Sequence, residues 1–188
     1  SNGLTSARHD MFHHGLASKY PESYDPGTDD SFVYTGSLGL MDDIDGVPAN
    51  AGKLVLSATR TYAPIVQAFL EKHRPQIDGM VHCSGGAQTK ILHFLQPGLH
   101  VVKDSMMDIP VLFETIQRES GTSWEEMYKV FNMGHRLEVY TDLTTAEDLI
   151  RISKSFGVDA KIVGRVESHE GQPATVTIDG PHGTFEYR

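Results

Sequence analysis

The chain has 188 residues, which suits one large domain, because a single core of this size buries roughly 70% of the surface that the unfolded chain exposes. Hydrophobic residues make up 39% and charged residues 22% of the sequence, a balance that excludes the disordered and fibrous classes. The net charge of −9 disfavours non-specific binding to nucleic acid or to an anionic membrane surface.

The single cysteine, Cys83, excludes an internal disulfide and suits a reducing compartment. No apolar run approaches the roughly 20 residues that span a bilayer, and no signal-peptide pattern opens the chain. We therefore expect a cytoplasmic protein with neither a membrane nor a nucleic acid as its partner.

The first fifty residues predict a short helix followed by a long loop. From Thr5 to about Ser18, apolar residues recur at helical spacing. These residues are Ala7, Met11, Phe12 and Leu16. Residues 19–52 are rich in Pro, Gly, Asp and Tyr without a sustained period, which predicts a loop-rich insertion. The acidic cluster at 42–45 lacks the alternating ligands and closing glutamate of a calcium loop, so a solvated turn is favoured there.

The middle of the chain predicts a helix, a glycine turn and two strands. Ser57 is the expected cap of a long helix that ends near Arg74-Pro75. Its apolar face would hold Tyr62, Ile65, Val66, Phe69 and Leu70. A buried strand is predicted from Gly79 to Ser84, then the turn Gly85-Gly86-Ala87, a helical stretch ending near Leu95, and a strand from Leu99 to Lys103.

The second half alternates between helices and strands. Helices are predicted at Ile109 to Glu119 (started by Pro110), at Ser123 to Phe131 (capping box Ser123 and Glu126), and from the capping box Thr144 and Glu147 to about Phe156. Strands are predicted at His135 to Thr141, Val158 to Val166, Ala174 to Ile178 and Thr184 to Tyr187, with a hairpin turn at Gly171-Gln172. This order predicts an α/β (α+β) fold in which a mixed β-sheet is flanked by helices.

The strongest local signal for a binding site is the glycine turn that follows the predicted strand Gly79 to Ser84. Gly85 and Gly86 permit a tight turn and a close backbone approach, and free N–H groups at a helix start favour phosphate. An ordinary turn without a ligand remains the alternative. The segment matches neither a Walker loop nor a dinucleotide fingerprint.

Two further positions could bind a ligand. Asn132 and Gly134 lie at a corner between a helix and a strand, where the asparagine offers a donor and an acceptor, or simply ends the helix. Thr59 and Arg60 lie at the expected start of a helix, where the guanidinium could hold phosphate or carboxylate, or form a surface ion pair.

The histidines and the cysteine do not indicate a metal site. His13 and His14 would point about 100° apart on a helix, and the sequence holds no H-E-x-x-H or C-x-x-C spacing. Cys83 follows His82, but neighbouring strand residues face opposite sides of a sheet. We expect Cys83 to be a buried, inert thiol rather than a nucleophile.

Taken in order, these segments resemble the C-terminal domain of phosphoribosylformylglycinamidine cyclo-ligase, also called aminoimidazole ribonucleotide synthetase. Ser1 to Arg8 (SNGLTSAR) is similar to the family's H-S-N-G-Y-S-L-V-R, begun one residue late, and Leu56 to Tyr62 (LSATRTY) to its L-A-P-T-R-I-Y. Val81 to Ala87 (VHCSGGA) resembles H-x-T-G-G-G, Glu125 to Gly134 (EEMYKVFNMG) resembles H-E-M-Y-R-x-F-N-x-G, and Ala160 to Val166 (AKIVGRV) resembles A-x-x-I-G-x-V.

The resemblance implies an enzyme that uses ATP and Mg²⁺ to close formylglycinamidine ribonucleotide into aminoimidazole ribonucleotide in purine biosynthesis. It implies that Asn2 and His82 lie in the active site, and that the cleft for substrate and nucleotide is bordered by Ser84, Gly85, Gly86, Thr59, Arg60 and Asn132. No metal ligand is assigned to this chain. An N-terminal domain that binds most of the ATP and Mg²⁺ and forms a homodimer would lie outside the sequence, so the chain alone should be inactive.

The glycine loop departs from the family pattern. Ala87 replaces a third glycine, and the family's later Asn and Pro-Arg are replaced within Gln88 to His93. Lys90 could supply a charge instead, or the substrate could differ. Two alternatives therefore stay open. One is a sister enzyme of the same architecture, such as formylglycinamidine synthase, selenophosphate synthetase or thiamine-phosphate kinase. The other is a binding module without turnover.

Overall fold

The computed structural model describes residues 4–56 and 60–188. Its α-helices are α1 (Leu4–Met11), α2 (Gly15–Lys19), α3 (Ala51–Val55), α4 (Ala63–His73), α5 (Val111–Ser120), α6 (Trp124–Val130) and α7 (Leu143–Ser155). Its strands are β1 (Ile77–His82), β2 (Leu99–Lys103), β3 (Leu137–Thr141), β4 (Arg165–Ser168), β5 (Thr175–Gly180) and β6 (Gly183–Tyr187). Short 3₁₀ helices cover Pro21–Ser23, Asp30–Phe32, Arg74–Gln76 and Ala87–His93.

The strands form two sheets. A four-stranded mixed sheet has the order β4-β2-β5-β6, in which β2 and β5 are parallel and the other pairs are antiparallel. A two-stranded antiparallel sheet joins β1 to β3. The predicted α/β (α+β) class is therefore confirmed, although the strands divide between two sheets instead of sharing one.

The N-terminal helix is broken in two. Residues 12–14 separate α1 from α2, but the four apolar residues predicted to share a face are all buried. Residues 20–50 form 3₁₀ turns and isolated bridges, as expected for a loop-rich stretch. This stretch nevertheless packs into the core through Val33, Tyr34 and Ile44, so it forms an integral part of the fold.

The helix α4 begins later than the sequence indicates. Pro64 occupies its first turn, where a missing N–H leaves no hydrogen bond unmade. Tyr62, expected on the helix, precedes it with a left-handed φ of +54°. Ser57, the predicted cap, lies outside the described residues. The end of α4 agrees with the prediction from Arg74-Pro75.

Capping side chains start α6 and α7. The hydroxyl of Ser123 accepts a hydrogen bond from the Glu126 N–H at 3.3 Å, as the predicted capping box requires. The predicted box of Thr144 and Glu147 is wrong, because Asp142 caps α7 and accepts a hydrogen bond from a first-turn N–H at 3.0 Å. Aspartate is among the best N-cap residues, so the helix starts at the earlier signal.

The predicted strand from Val158 to Val166 is also wrong over most of its length, since β4 covers only Arg165–Ser168. The turn at Gly171-Gln172 is present, with the Gln172 N–H donating to the His169 carbonyl at 3.1 Å. It does not close a hairpin, because β4 and β5 lie on opposite sides of β2.

Two hydrophobic clusters hold the chain together. The larger joins α1, the 33–44 stretch, α5 and α6 to the four-stranded sheet, with Met11, Ile116, Met127, Val176 and Ile178 almost wholly buried. The smaller packs Ile65 and Phe69 of α4 against Leu149 of α7, over the β1-β3 sheet. Within residues 4–56 and 60–188, no helix is long and apolar enough to cross a membrane.

Candidate functional site

The predicted glycine turn follows β1. His82 ends the strand with an exposed side chain, while the next residue, Cys83, is 2% exposed. The Ser84 N–H donates to the His82 carbonyl at 2.8 Å, and the Ala87 N–H donates to the Ser84 carbonyl at 2.9 Å. Gly86 has a φ of +84°, which glycine adopts without strain. The segment therefore turns as tightly as its sequence indicates.

The stretch after the turn differs from the prediction. It is a seven-residue 3₁₀ helix, Ala87–His93, so its aligned dipole is short and the expected helix-start attraction for phosphate is weaker. Ala87 has a φ of +41°, an unusual value for a residue with a Cβ. Within the described residues, the N–H groups of Gly85 and Gly86 have no hydrogen-bond partner. Free backbone N–H groups in a turn are donors of the kind that bind phosphate oxygens in other proteins.

The asparagine corner, residues 131–135, follows α6. The Asn132 side-chain oxygen accepts a hydrogen bond from the Gly134 N–H at 2.9 Å. Gly134 has the left-handed backbone predicted for it, with a φ of +91°. A Cβ there would lie 3.0 Å from the ring of Pro110, so space also requires glycine. The Asn132 side chain thus shapes the turn that follows the helix, whose C-cap residue is Phe131.

Gln88 joins the glycine turn to the asparagine corner. Its side-chain N–H₂ donates to the Asn132 carbonyl at 2.5 Å and to the His135 carbonyl at 3.3 Å. The Lys103 ammonium donates to the Gln88 backbone oxygen at 2.7 Å and to its side-chain oxygen at 3.2 Å. Lys103 also pairs with Glu138. Two of the segments that carry the family resemblance therefore meet over a buried ion pair, which the sequence interpretation missed.

The same ion pair lies beside Cys83. Burial, followed by the nearby Glu138 carboxylate, raises the pKa of the Cys83 thiol to about 12. The thiolate form is therefore strongly disfavoured near neutral pH. The Tyr140 hydroxyl donates to Glu138 at 2.8 Å, and burial first and Glu138 second raise its pKa as well. Cys83 is buried and unreactive, as predicted.

His135, at the end of the asparagine corner, is a buried neutral imidazole. It is 5% exposed, and the Met107 N–H donates to its Nε2 at 2.9 Å, which leaves the proton on Nδ1. Burial is the main reason why the pKa of His135 falls to about 4. This role of His135 was not predictable from the sequence, because any histidine beside a strand has the same local pattern.

This histidine makes folding stability depend on pH. In the unfolded chain His135 takes up a proton below about pH 6.5, whereas the folded chain resists protonation until about pH 4. Its contribution is therefore complete above pH 6.5 and is lost as the pH falls toward 4, by up to about 3 kcal/mol. Urea unfolding at several pH values should show this loss in the native sequence but not in His135→Gln. Parallel pH curves for the two proteins would contradict the assignment.

Arg60 is described by the groove that it lines. It lines a shallow groove with Tyr62, Pro64, Phe156 and Val158, all near α4 and α7. No residue of the glycine turn or of the asparagine corner lines this groove in the described part of the chain. The hydrogen bonds of Gln88 therefore link the stretch after the glycine turn to the asparagine corner, whereas Arg60 lines a groove that includes neither segment.

Two other predicted site residues, Asn2 and Thr59, lie outside the described residues. The acidic stretch at 42–45 includes a local turn, in which Asp42 accepts a hydrogen bond from the Gly39 N–H at 2.7 Å. Among the described residues, no three His, Cys, Asp or Glu side chains converge as a metal site.

The chain is thus a mixed α/β domain in which a glycine turn and an asparagine corner meet over a buried polar network. No family model matches it. Its sequence is similar to curated phosphoribosylformylglycinamidine cyclo-ligases. The enzyme of Methanopyrus kandleri is 34% identical over 127 residues, 67% of this chain and 35% of that protein. The enzyme of Syntrophus aciditrophicus is 27% identical over 143 residues, 75% of this chain and 41% of that protein.

The resemblance inferred from the motifs is therefore confirmed by matches that cover about two thirds to three quarters of this chain. A cyclo-ligase of Methanococcus vannielii is also 29% identical over 67% of this chain. The chain spans only about a third to two fifths of each of these relatives, which fits one domain of a larger enzyme. Among solved structures, E. coli HypE, a hydrogenase maturation protein, has a TM-score of 0.48 and 18% identity over 68% of this chain and 39% of that one.

Proposed function

We propose that this chain is the C-terminal half of an ATP-dependent cyclo-ligase that converts formylglycinamidine ribonucleotide to aminoimidazole ribonucleotide in purine biosynthesis. The proposal follows from the named relatives and from the resemblance of five sequence segments. Most of the ATP and Mg²⁺ ligands, and the contacts of a homodimer, are proposed to lie in an N-terminal domain. The complete enzyme is proposed to be cytoplasmic, and the isolated chain inactive.

One observation carries the proposal furthest. Gln88, the residue directly after the glycine turn, donates a hydrogen bond to the carbonyl of Asn132 in the asparagine corner, 44 residues away. Each segment independently resembles a motif of the cyclo-ligases, and each could have been an ordinary turn. Their contact supports the interpretation that they border one site.

The residues of this site have distinct capacities. The unpaired N–H groups of Gly85 and Gly86 can bind phosphate oxygens. His82 is exposed at the same edge, and an imidazole can serve as a general acid, a general base or a hydrogen-bond donor. ATP would supply the phosphoryl group that activates the formyl amide oxygen. His82 is then proposed to bind or protonate groups of the ribonucleotide as the ring closes.

The test is formation of aminoimidazole ribonucleotide by the full-length protein that contains this chain. Product should require both ATP and Mg²⁺. The variant His82→Ala should lower kcat/KM at least about 100-fold, the usual effect of losing a general acid or base. His169→Ala, which removes an exposed histidine from the turn after β4, should leave kcat/KM unchanged.

Each other result selects an alternative. Full activity of a folded His82→Ala variant would remove His82 from the site. Absence of product with verified substrate would favour a sister enzyme of the same architecture. Ribonucleotide or ATP binding without any turnover would favour a binding module. The observation that favours this alternative is the left-handed backbone of Ala87, which occupies the place of a glycine in the family's loop.

A further inference from the structure

Gln88 is fully buried between the two halves of the candidate site, the glycine turn and the asparagine corner. Its exposed fraction is 0%, and its side chain spans from the glycine turn to the asparagine corner. Both side-chain N–H donors bind carbonyls of the corner, those of Asn132 and His135. The glutamine therefore contacts the two segments that border the site without reaching the site surface.

The contacts of Gln88 are in turn held by a second buried group. Lys103 is 1% exposed, and its ammonium binds both oxygens of Gln88 and the carboxylate of Glu138. Tyr140 completes the network through the second oxygen of Glu138. Every hydrogen of the ammonium and of the glutamine amide has an acceptor, so the side chain of Gln88 has one geometry available to it.

The stability of the fold does not by itself require a buried polar network at this place. Apolar residues of similar volume usually stabilise a core as well as, or better than, a buried ion pair. Directed hydrogen bonds, in contrast, fix distances that apolar packing leaves adjustable. The network also connects β2 of the four-stranded sheet to β3 of the two-stranded sheet, through Lys103 and Glu138.

We propose that Gln88, oriented by Lys103, is a positioning residue that fixes the glycine turn relative to the asparagine corner. This inference rests on the proposed function, because it assigns both segments to one site. Gln88 would act through these segments and would touch neither substrate nor nucleotide.

The first measurement compares kinetics of the full-length protein with Gln88→Met, which keeps the volume of the side chain and removes its hydrogen bonds. KM for the ribonucleotide should rise at least tenfold. The control is Leu149→Ala in the separate α4-α7 cluster. Leu149→Ala also destabilises the fold, but an unfolded fraction of the protein lowers the apparent kcat without changing KM. KM of this control should therefore stay unchanged.

The second measurement does not depend on activity. Amide hydrogen exchange in the full-length protein should become at least tenfold faster at Ala87 and at His135 in Gln88→Met. These amides close the glycine turn and the asparagine corner. Amides of β5 and β6 should exchange as before, and Leu149→Ala should not reproduce the local effect.

A raised KM together with faster exchange at both amides would support the proposal. An unchanged KM, or unchanged exchange at His135, would overturn it. If the native protein forms no aminoimidazole ribonucleotide, the proposed function fails. The exchange measurement then still decides whether Gln88 couples the two segments.

Discussion

Replacing Lys103 with methionine should lower the free energy of unfolding by about 3 to 5 kcal/mol. The substitution removes the ammonium that pairs with Glu138, whose side chain is also almost fully buried. The carboxylate would keep the hydroxyl of Tyr140 as a partner but lose its counter-charge, and a buried charge without its counter-charge is costly. Urea unfolding of the native chain and the variant, at the same pH and salt concentration, measures the difference.

A double variant separates the ion pair from the volume that it fills. Lys103→Met combined with Glu138→Leu removes both charges and should recover at least half of the loss, since an apolar pair can replace a buried ion pair. Lys129→Met is the control, because Lys129 is exposed on α6 and pairs with Glu126 at 3.6 Å. Its removal should cost less than about 0.5 kcal/mol. Equal losses from Lys103→Met and Lys129→Met would contradict the role of the buried network.

The polar network shows where sequence interpretation reached its limit. The strand ending at Lys103 was predicted with both of its bounds, and the strand containing Glu138 was predicted within two residues. Neither pattern shows that the two side chains meet, because 35 residues separate them and the contact depends on how the two sheets pack. The one hint of a buried ion pair in the sequence is a charged residue, Lys103, in a mostly apolar strand. A lysine at a solvent-exposed strand end produces the same pattern, so the hint is not specific.

Elements with a local cause were the most predictable. Pro110 and Ser123 determine where α5 and α6 begin, and both helices lie within one or two residues of their predicted bounds. The alternation of His82 and Cys83 between solvent and core was also predictable from the period of a strand. The 3₁₀ form of the helix after the glycine turn was not predictable, since Ala87 takes a φ that its residue type disfavours.

The two turns of the candidate site were predictable for the same reason. The motifs identified the glycine turn and the asparagine corner, because glycine and asparagine at turns have a direct conformational cause. Gln88, which joins them, was noted only as a departure from the family pattern. Its burial and its partners follow from tertiary packing around Lys103.

Gly164 gives the second large expected effect, and it lies directly before β4, in the part of the predicted strand Val158 to Val166 that forms no strand. A Cβ on Gly164 would overlap the carbonyl oxygen of Val102 and would lie 2.9 Å from the Cα of Lys103. The chain crosses β2 at contact distance before β4 begins to pair with it. All of the nearest atoms belong to the backbone, so no side-chain rotation can relieve the overlap.

Gly164→Ala should therefore lower the free energy of unfolding by more than about 3 kcal/mol, above the usual cost of overpacking, because β2 or β4 must move. The control is Gly79→Ala in β1, where the added methyl would be 3.9 Å from Tyr140 and the change should stay within about 1 kcal/mol. Similar urea midpoints for the two variants would mean that β4 detaches at little cost. A selective loss for Gly164→Ala would show that the glycine of the A-x-x-I-G-x-V resemblance is required by backbone contact, independently of any catalytic role.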